Sequence, residues 1–493
     1  MRVAVIGAGL GGMAAAIRLA SAGVGVDVFE QSAVPGGKAA SLSLCGYRFD
    51  TGPSLVSMPF VFERLFRDAG ARLADYLELL PLEPLTTNFF PDGTVLRDYS
   101  DRGKMAEALS AASMGNRRML DRYLDHGKRL YDATAHLFLF RSLAEAIRGG
   151  GLGAKDLVAL ARLDAFRSLH RAHTRFFRDP RLIQLLDRYA TYNGSDPYHA
   201  PATLAIIPAV EYGFGGFTAS GGIIAIPRAY EALARKLGVR FHLGTRVDRI
   251  LVTANRARGV RCGGQDIEAD AVVTNADVLA TYRRLLPHVA DRLARRYERL
   301  QPSTSGLVFL WGITSSFPEL SVSNVFFPRD YRAEFEDLFT RRRCPTDPTV
   351  FVTITSKTVP GDAPPGRENW FVLVNAPADD GQDWLAEVSR VRSAALWRLR
   401  SALGRDVESL IEAEAVRTPQ DIERETSSAR GSLYGVSSNS RLSAFLRHPN
   451  RHPRIGGLYF CGGSAHPGGG MPLATLSGMI AADLLLRYEK ARA

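Results

Sequence analysis

The chain opens on a short apolar run at residues 3–6 and meets a second at 24–29. Each is short enough to be one buried strand. Residues 13–22 between them read as a helix that Gly23 stops. Residues 104–188 then carry apolar positions at helical spacing: Leu120, Tyr123, Leu124, Leu130 and Tyr131, then Ala135, Leu137, Phe138, Phe140 and Leu143. Gly149-Gly150-Gly151 breaks that pattern. A helix is predicted at 223–237, a strand pair at 240–252 and a buried strand at 269–275. Residues 307–313, 349–355 and 370–375 predict strands of a second sheet. Residues 458–461 predict one more buried strand. Pro472 then opens an apolar helix to about Leu486; proline suits a first helical turn because its missing N–H would be unpaired there anyway. No repeat or low-complexity segment appears.

Residues 3–30 together form a βαβ unit with the turn Gly7-Ala8-Gly9-Leu10-Gly11-Gly12. Gly7 allows the tight turn, Gly9 lets backbone approach a pyrophosphate, and Gly12 lets helix and strand pack closely. The helix N-terminus offers N–H groups and a positive dipole end to phosphates. Glu30 closes the unit and is placed to accept hydrogen bonds from a ribose. An acid there disfavours a 2′-phosphate, so NADP is not expected. Turn, helix, strands and acid make a dinucleotide-binding fingerprint in its full context.

Past Glu30 the chain carries two segments that an NAD domain does not need. Gln31 leads to a second glycine turn, Gly36-Gly37-Lys38, and then to Gly46-Tyr47-Arg48-Phe49-Asp50-Thr51-Gly52-Pro53-Ser54. The C-terminal partner reads GGLYFCGGSAHPGGGM over residues 456–471. These segments resemble the amine-oxidase and carotenoid-desaturase superfamily of flavoproteins. That resemblance implies non-covalently bound FAD. It places Gly7, Gly9, Gly11, Gly12, Glu30, Gln31, Gly37 and Lys38 along the nucleotide and diphosphate, and the backbone of Val247 on the adenine. Pro53, Ser54, Gly463, Ser464, Met471 and Pro472 fall beside the flavin, with the last helix aimed at its pyrimidine ring.

The resemblance narrows at His466-Pro467-Gly468-Gly469-Gly470-Met471-Pro472, which is similar to a segment of bacterial carotenoid (phytoene) desaturases. Arg424, Glu425, Gly431, Ser432, Tyr434 and Gly435 lie where that family approaches its final motif. Ser464 and the string after it look closer to the hydroxy-carotenoid 3,4-desaturase branch. The fold so implied is α/β: a Rossmann-type FAD domain of the amine-oxidase and GDI-like kind, with a discontinuous α+β substrate domain. Residues 1–85, 225–290 and 440–493 are assigned to the first. Residues 86–224 and 291–439 are assigned to the second, including a helical basic part at about 104–190 facing membrane and substrate.

The activity so implied is FAD-dependent desaturation of an acyclic carotenoid polyene, a 1-hydroxycarotenoid at its 3,4 bond, with hydride passing to flavin N5. Phytoene desaturation and polyene saturation use the same site. A GDI-type carrier of prenyl lipid is a different class, and the intact FAD elements argue against it. An amine oxidase would want an aromatic cage where this chain has His466 and glycines. No Ser/His/Asp triad or paired-carboxylate site is evident. His466 is the one titratable candidate for assisting proton loss, against a packed structural histidine. Tyr192, Tyr212, Phe214, Phe217 and Trp311 are candidates to line a substrate tunnel, against plain core. Quinone or oxygen would take the electrons.

Charge changes the picture in one place. The net charge is +11, and 117–188 is rich in arginine: Arg117, Arg118, Arg122, Arg129, Arg141, Arg148, Arg162, Arg167, Arg171, Arg175, Arg178 and Arg181, with Lys128 and Lys155. Either this is a solvated helical face or it is drawn to anionic lipid. Nucleic acid is not expected, since no recognition motif or stacking aromatics accompany the charge. Cys45, Cys262, Cys344 and Cys461 lie far apart, so neither disulfides nor a metal site is expected, and a reducing cytoplasm fits. No leader peptide and no spanning helix is expected. The expected location is cytoplasmic and peripheral to a membrane.

Overall fold

The computed structural model describes residues 1–141, 164, 166–287, 291–440 and 447–490. Its first apolar run, Arg2–Ile6, is the central strand of a five-stranded parallel sheet. Gly25–Phe29 and Ala271–Thr274 flank it, and Arg240–His242 and Leu458–Phe460 form the edges. Strands from both ends of the chain therefore share one sheet. Its strands are apolar on both faces because helices cover one and the antiparallel sheet of residues 247–268 packs on much of the other.

The first helix is Leu10–Ser21 and starts inside the glycine turn, with Gly9 as its N-cap. It begins three residues earlier than the pattern predicts, because Met13 N–H already bonds the Gly9 carbonyl at 3.0 Å. The last helix, Met471–Glu489, lies directly against it. A Cβ on Gly478 would stand 2.1 Å from the Gly11 carbonyl oxygen, and one on Gly12 would stand 2.1 Å from the Gly7 carbonyl oxygen. Backbone touches backbone at both places, which no side chain permits.

The expected strand pair at 240–252 is corrected. Arg240–His242 runs parallel to Gly25–Phe29, whereas Val247–Thr253 opens a separate antiparallel sheet with Arg256–Cys262 and Gln265–Glu268. Gly244, at φ +65°, turns the chain from one sheet to the other. Glu30 steers that passage: its N–H bonds the His242 carbonyl at 3.0 Å, and Thr245 N–H bonds its carbonyl at 2.8 Å.

A seven-stranded sheet forms the other half. Its order is Ile411–Arg417, Ser305–Ile313, Glu368–Ala376, Val350–Ile354, Ser323–Phe326, Thr86–Phe89 and Val95–Asp98. One face packs Phe309, Trp311, Trp370 and Val372 against Val391, Ala395 and Leu399 of the helix Trp384–Leu403. Helices Arg117–Phe138, Leu169–Phe176 and Pro180–Asp187 form a third layer, with Leu120, Tyr123 and Leu124 buried against Leu182, Leu185 and Leu186. Leu143, Gly149-Gly150-Gly151, Arg148, Lys155 and Arg162 lie outside the described residues. Among the described residues no helix is long and apolar enough to cross a membrane. Arg117, Lys128, Arg167 and Arg181 are each paired with an aspartate. Arg171, Arg175 and Arg178 are exposed.

The loop before the last strand is acid-sensitive. His452 is buried and its Nδ1 accepts from the N–H groups of Arg454 (3.1 Å) and Ile455 (2.7 Å). A proton on Nδ1 would face two donors, and burial holds the imidazole down to about 4. The unfolded chain takes up this proton near pH 6.5, so its stabilisation is full above that pH and is lost as pH falls towards 4. Relative to His452→Asn, the protein should lose up to about 1.4 kcal/mol of stability per pH unit below about pH 6. Melting curves of the two proteins at matched pH test this; parallel pH profiles would refute it.

Candidate active site

Two helix N-termini open onto one cavity of about 800 Å³. The first helix has no side-chain cap and no acid in its first turn. The last helix is the same, with Gly470 at φ +103° as its N-cap. Bare N–H groups and positive dipole ends thus face the cavity from two sides. That suits a ligand carrying a pyrophosphate and a second electron-rich group.

The expected residues converge on this cavity. Gly7, Gly9, Gly11, Glu30, Gln31, Gly37, Lys38, Pro53, Ser54, Val247, Gly463, Ser464, His466, Met471 and Pro472 all line it. Gly12 does not, because its open side faces the Gly7 carbonyl. Glu30 is buried, with Oε2 accepting from Ala8 N–H at 2.7 Å and Oε1 from Ser32 N–H at 2.9 Å. Each oxygen keeps a second acceptor site. The two glycine turns touch: Gly36 N–H bonds the Ala8 carbonyl at 2.9 Å, and a Cβ on Gly37 would stand 3.4 Å from the Gly9 Cα.

Lys38 is committed elsewhere on the chain. Its Nζ donates to the Leu433 carbonyl at 2.6 Å and the Ser432 carbonyl at 3.4 Å. Burial lowers its pKa to about 8, opposed by the field of Asp277. His466 is buried and bonds the Arg141 carbonyl through Nε2 at 2.7 Å, so that nitrogen carries its proton. Burial pushes its pKa down to about 4, which keeps the ring neutral around pH 7.

Three site residues had no motif to announce them. Asn275 ends a predicted strand, yet its amide is the hub of the glycine turns. A Cβ on Gly9 would stand 2.7 Å from its Nδ2, and one on Gly11 or Gly462 would stand 2.6 or 2.5 Å from its Oδ1. Asp277 accepts from Leu279 N–H at 2.9 Å and so caps the turn beyond it. Arg447 is partly buried against the C-terminal motif and donates to the carbonyls of Tyr434 (2.8 Å) and Gly463 (3.4 Å). Burial lowers its pKa to about 10.

Beyond the glycines the wall is largely apolar. Leu139, Ile206, Ile207 and Val210 face Val308, Val325, Phe351 and Leu373 of the seven-stranded sheet. Of the five expected tunnel aromatics only Tyr192 lines the cavity. Strand alternation explains Trp311: Val308 faces the cavity, so Trp311 falls on the opposite face, where its indole donates to Glu414 at 2.8 Å. Tyr212 turns into the core to donate to Asp98 at 3.1 Å. Phe214 is half exposed against Phe60 and Tyr131, and Phe217 sits in a two-strand ladder with Pro81.

Residues 10–486 match the family of flavin containing amine oxidoreductases. The chain belongs to that family. It is a flavin-dependent oxidoreductase, and the cradle fits that cofactor: two bare helix ends, a buried acid with open acceptors, and glycines where a side chain would intrude. The chain is 40% identical over 483 residues to a 1-hydroxycarotenoid 3,4-desaturase of Flavobacterium sp. (strain P99-3), covering 98% of each. It is 36% identical over 494 residues to a zeta-carotene-forming phytoene desaturase of Myxococcus xanthus, covering 100% of this chain and 95% of that one. Cyclohexylamine oxidase from Brevibacterium oxydans shares the fold, with a TM-score of 0.64 at 18% identity over 99% of both chains.

Two substitutions test the cradle. Gly9→Val should yield folded protein without flavin, because the side chain would fill space beside both Asn275 and the ligand. Glu30→Ala should weaken flavin retention by about tenfold or more, since it removes charge-assisted hydrogen bonds. Flavin content after gel filtration, beside a circular dichroism check, decides; retention equal to the wild type would refute the assignment.

Proposed function

We propose that this chain is a desaturase of acyclic carotenoids that holds FAD non-covalently and acts on a hydroxylated carotenoid at its 3,4 bond. One observation carries the reading: the dinucleotide cradle and the apolar wall belong to one continuous cavity. A polyene can lie along that wall with one C–C bond beside the flavin end. The relatives' substrates support the substrate class, and the 40% relative supports the branch.

Bound FAD supplies a two-electron acceptor for the hydride. The chain's own groups do the rest. The bare N-terminus at Met471 and Pro472 favours negative charge gathering next to it. The apolar wall excludes water and holds the polyene in line. His466, held down to about 4, is a weak base, and its bond to Arg141 makes it a packing residue. We assign the diphosphate and ribose to Gly7, Gly9, Gly11, Glu30, Gln31 and Gly37, and the adenine to Val247. The flavin ring falls to Pro53, Ser54, Gly463, Ser464, Met471 and Pro472. Lys38 acts by tying the second glycine turn to residues 432 and 433. We read residues 1–85, 225–290 and 440–493 as the FAD unit and 86–224 and 291–439 as the substrate unit. Quinone or oxygen reoxidises the flavin.

The reaction is tested with FAD-loaded protein and acyclic carotenoids in liposomes. A hydroxylated substrate should give a product two hydrogens lighter that absorbs at longer wavelength. Consumption of phytoene with hydroxylated carotenoids untouched would overturn the branch. No reaction with any polyene, but flavin reduction by an amine, would overturn the substrate class.

The substrate dissolves in lipid, so we also infer that the protein sits on a membrane surface, with Arg171, Arg175 and Arg178 contributing attraction. Flotation should show more binding to anionic than to neutral liposomes, and that excess should shrink with salt. Equal binding to both at low salt would remove the electrostatic part; no binding to either would remove the claim.

A further inference from the structure

The apolar wall of the cavity is interrupted by a charge. Arg188 begins the short 3₁₀-helix Arg188–Asn193, lines the cavity and is only 5% exposed. Its Nη1 donates to Tyr192 Oη at 3.3 Å. Its guanidinium lies over the rings of Tyr189 and Tyr192, at 5.0 and 5.5 Å from their centroids. Nε and Nη2 have no hydrogen-bond partner among the described residues. Asp98 and Glu211 lie in its field, both buried. They take hydrogen bonds from tyrosines rather than from the arginine: Tyr212 donates to Asp98 at 3.1 Å and Tyr189 to Glu211 at 2.8 Å. Burial pushes Asp98 up to about 7 and Glu211 upwards as well, against the pull of the arginine.

Other idle groups sit around it. Tyr331 Oη, Asn193 Oδ1 and Thr304 Oγ1 are buried without a hydrogen-bond partner among the described residues, and all three residues line the same cavity. Tyr331 lies within the field of Arg188. Thr304 N–H bonds the carbonyl of Gly194, next to Asn193, at 3.0 Å. Burying a charged donor with nothing to bind is costly. A pure hydrocarbon in this cavity would leave every one of these groups idle.

We propose that Arg188, with Tyr331 and Asn193, binds an oxygen function carried by the polyene, a hydroxyl group, and so selects an oxygenated over a hydrocarbon substrate. The match is chemical. A hydroxyl donates one hydrogen bond and accepts up to two. Arg188 Nη2 and Tyr331 Oη supply donors, and Asn193 Oδ1 supplies the acceptor. A site built to bond an oxygen discriminates strongly against the analogue that lacks it. The proposal rests on the polyene reading above and adds to it the residues that read the end group.

The test compares a hydroxylated acyclic carotenoid with its hydrocarbon parent in liposomes. The readouts are kcat/KM for each and equilibrium binding of each by quenching of intrinsic fluorescence. The wild type should prefer the hydroxylated polyene. In Arg188→Met the ratio of the two kcat/KM values should fall about tenfold or more, with the loss in KM rather than kcat, and the binding ratio should fall with it. Arg188→Lys should restore part of the preference. Tyr331→Phe removes a hydroxyl without a partner among the described residues, so it should fold like the wild type and still lower the ratio. It decides the matter if Arg188→Met does not fold. Equal losses on both polyenes, or a wild type with no preference, would overturn the proposal and leave the desaturase reading standing. A wild type that binds and converts no polyene at all would overturn both.

Discussion

Everything in this molecule depends on two helices from opposite ends of the chain meeting backbone to backbone. The first helix can stand against the last only because Gly11 and Gly478 leave nothing between them, and Gly12 seats the first helix on the turn below it. That contact brings two uncapped N-termini to one cavity. Each would be a poor helix end in isolation, since no side chain among the described residues caps it. Together they make a site that favours electron-rich groups at two places. Asn275 fixes their spacing, because its amide sits in the gaps that Gly9, Gly11 and Gly462 leave open.

The second theme is the burial of positive charge. Lys38 and Arg447 are both partly buried, and both spend their donors on backbone carbonyls. Lys38 links the second glycine turn to Leu433, and Arg447 links Tyr434 to Gly463. These cations act as rivets where the segment 432–435 crosses the cavity. Their lowered pKa values follow from desolvation that carbonyl dipoles only partly offset. Arg188 differs in kind, since it keeps donors in reserve.

Local pattern carried the architecture a long way. The βαβ unit was legible because each part has its own physical cause: apolar strands, glycines at required positions, and an acid at the second strand's end. The C-terminal motif and the helix after Pro472 were legible for the same reason. The turn after His242 misled because a Gly-containing link between two short strands looks like a hairpin wherever it leads. Only the pairing of Arg240–His242 with the distant Gly25–Phe29 shows otherwise. The tunnel aromatics stayed open between tunnel and core because alternation says that a strand has two faces, not which face meets the ligand; Trp311 and Tyr212 are core. Trp311 and Val308 swap roles on that point alone. Asn275, Asp277 and Arg447 carry no motif; Asn275 takes its meaning from glycines at both ends of the chain, and Arg447 from joining Tyr434 to Gly463.

The same cradle serves different substrates because the cofactor end and the substrate end obey separate constraints. Cyclohexylamine oxidase shares this fold at 18% identity, so the architecture does not choose between a cation and a hydrocarbon. The wall does. An amine carried as a cation would meet Arg188 as a like charge in a buried cavity, where screening is weak. A polyene meets Val308, Val325, Phe351 and Leu373 without penalty, and an oxygen on it turns the buried guanidinium from a cost into a contact. A buried guanidinium with unspent donors beside a mainly apolar wall therefore favours an oxygenated polyene by the same electrostatics.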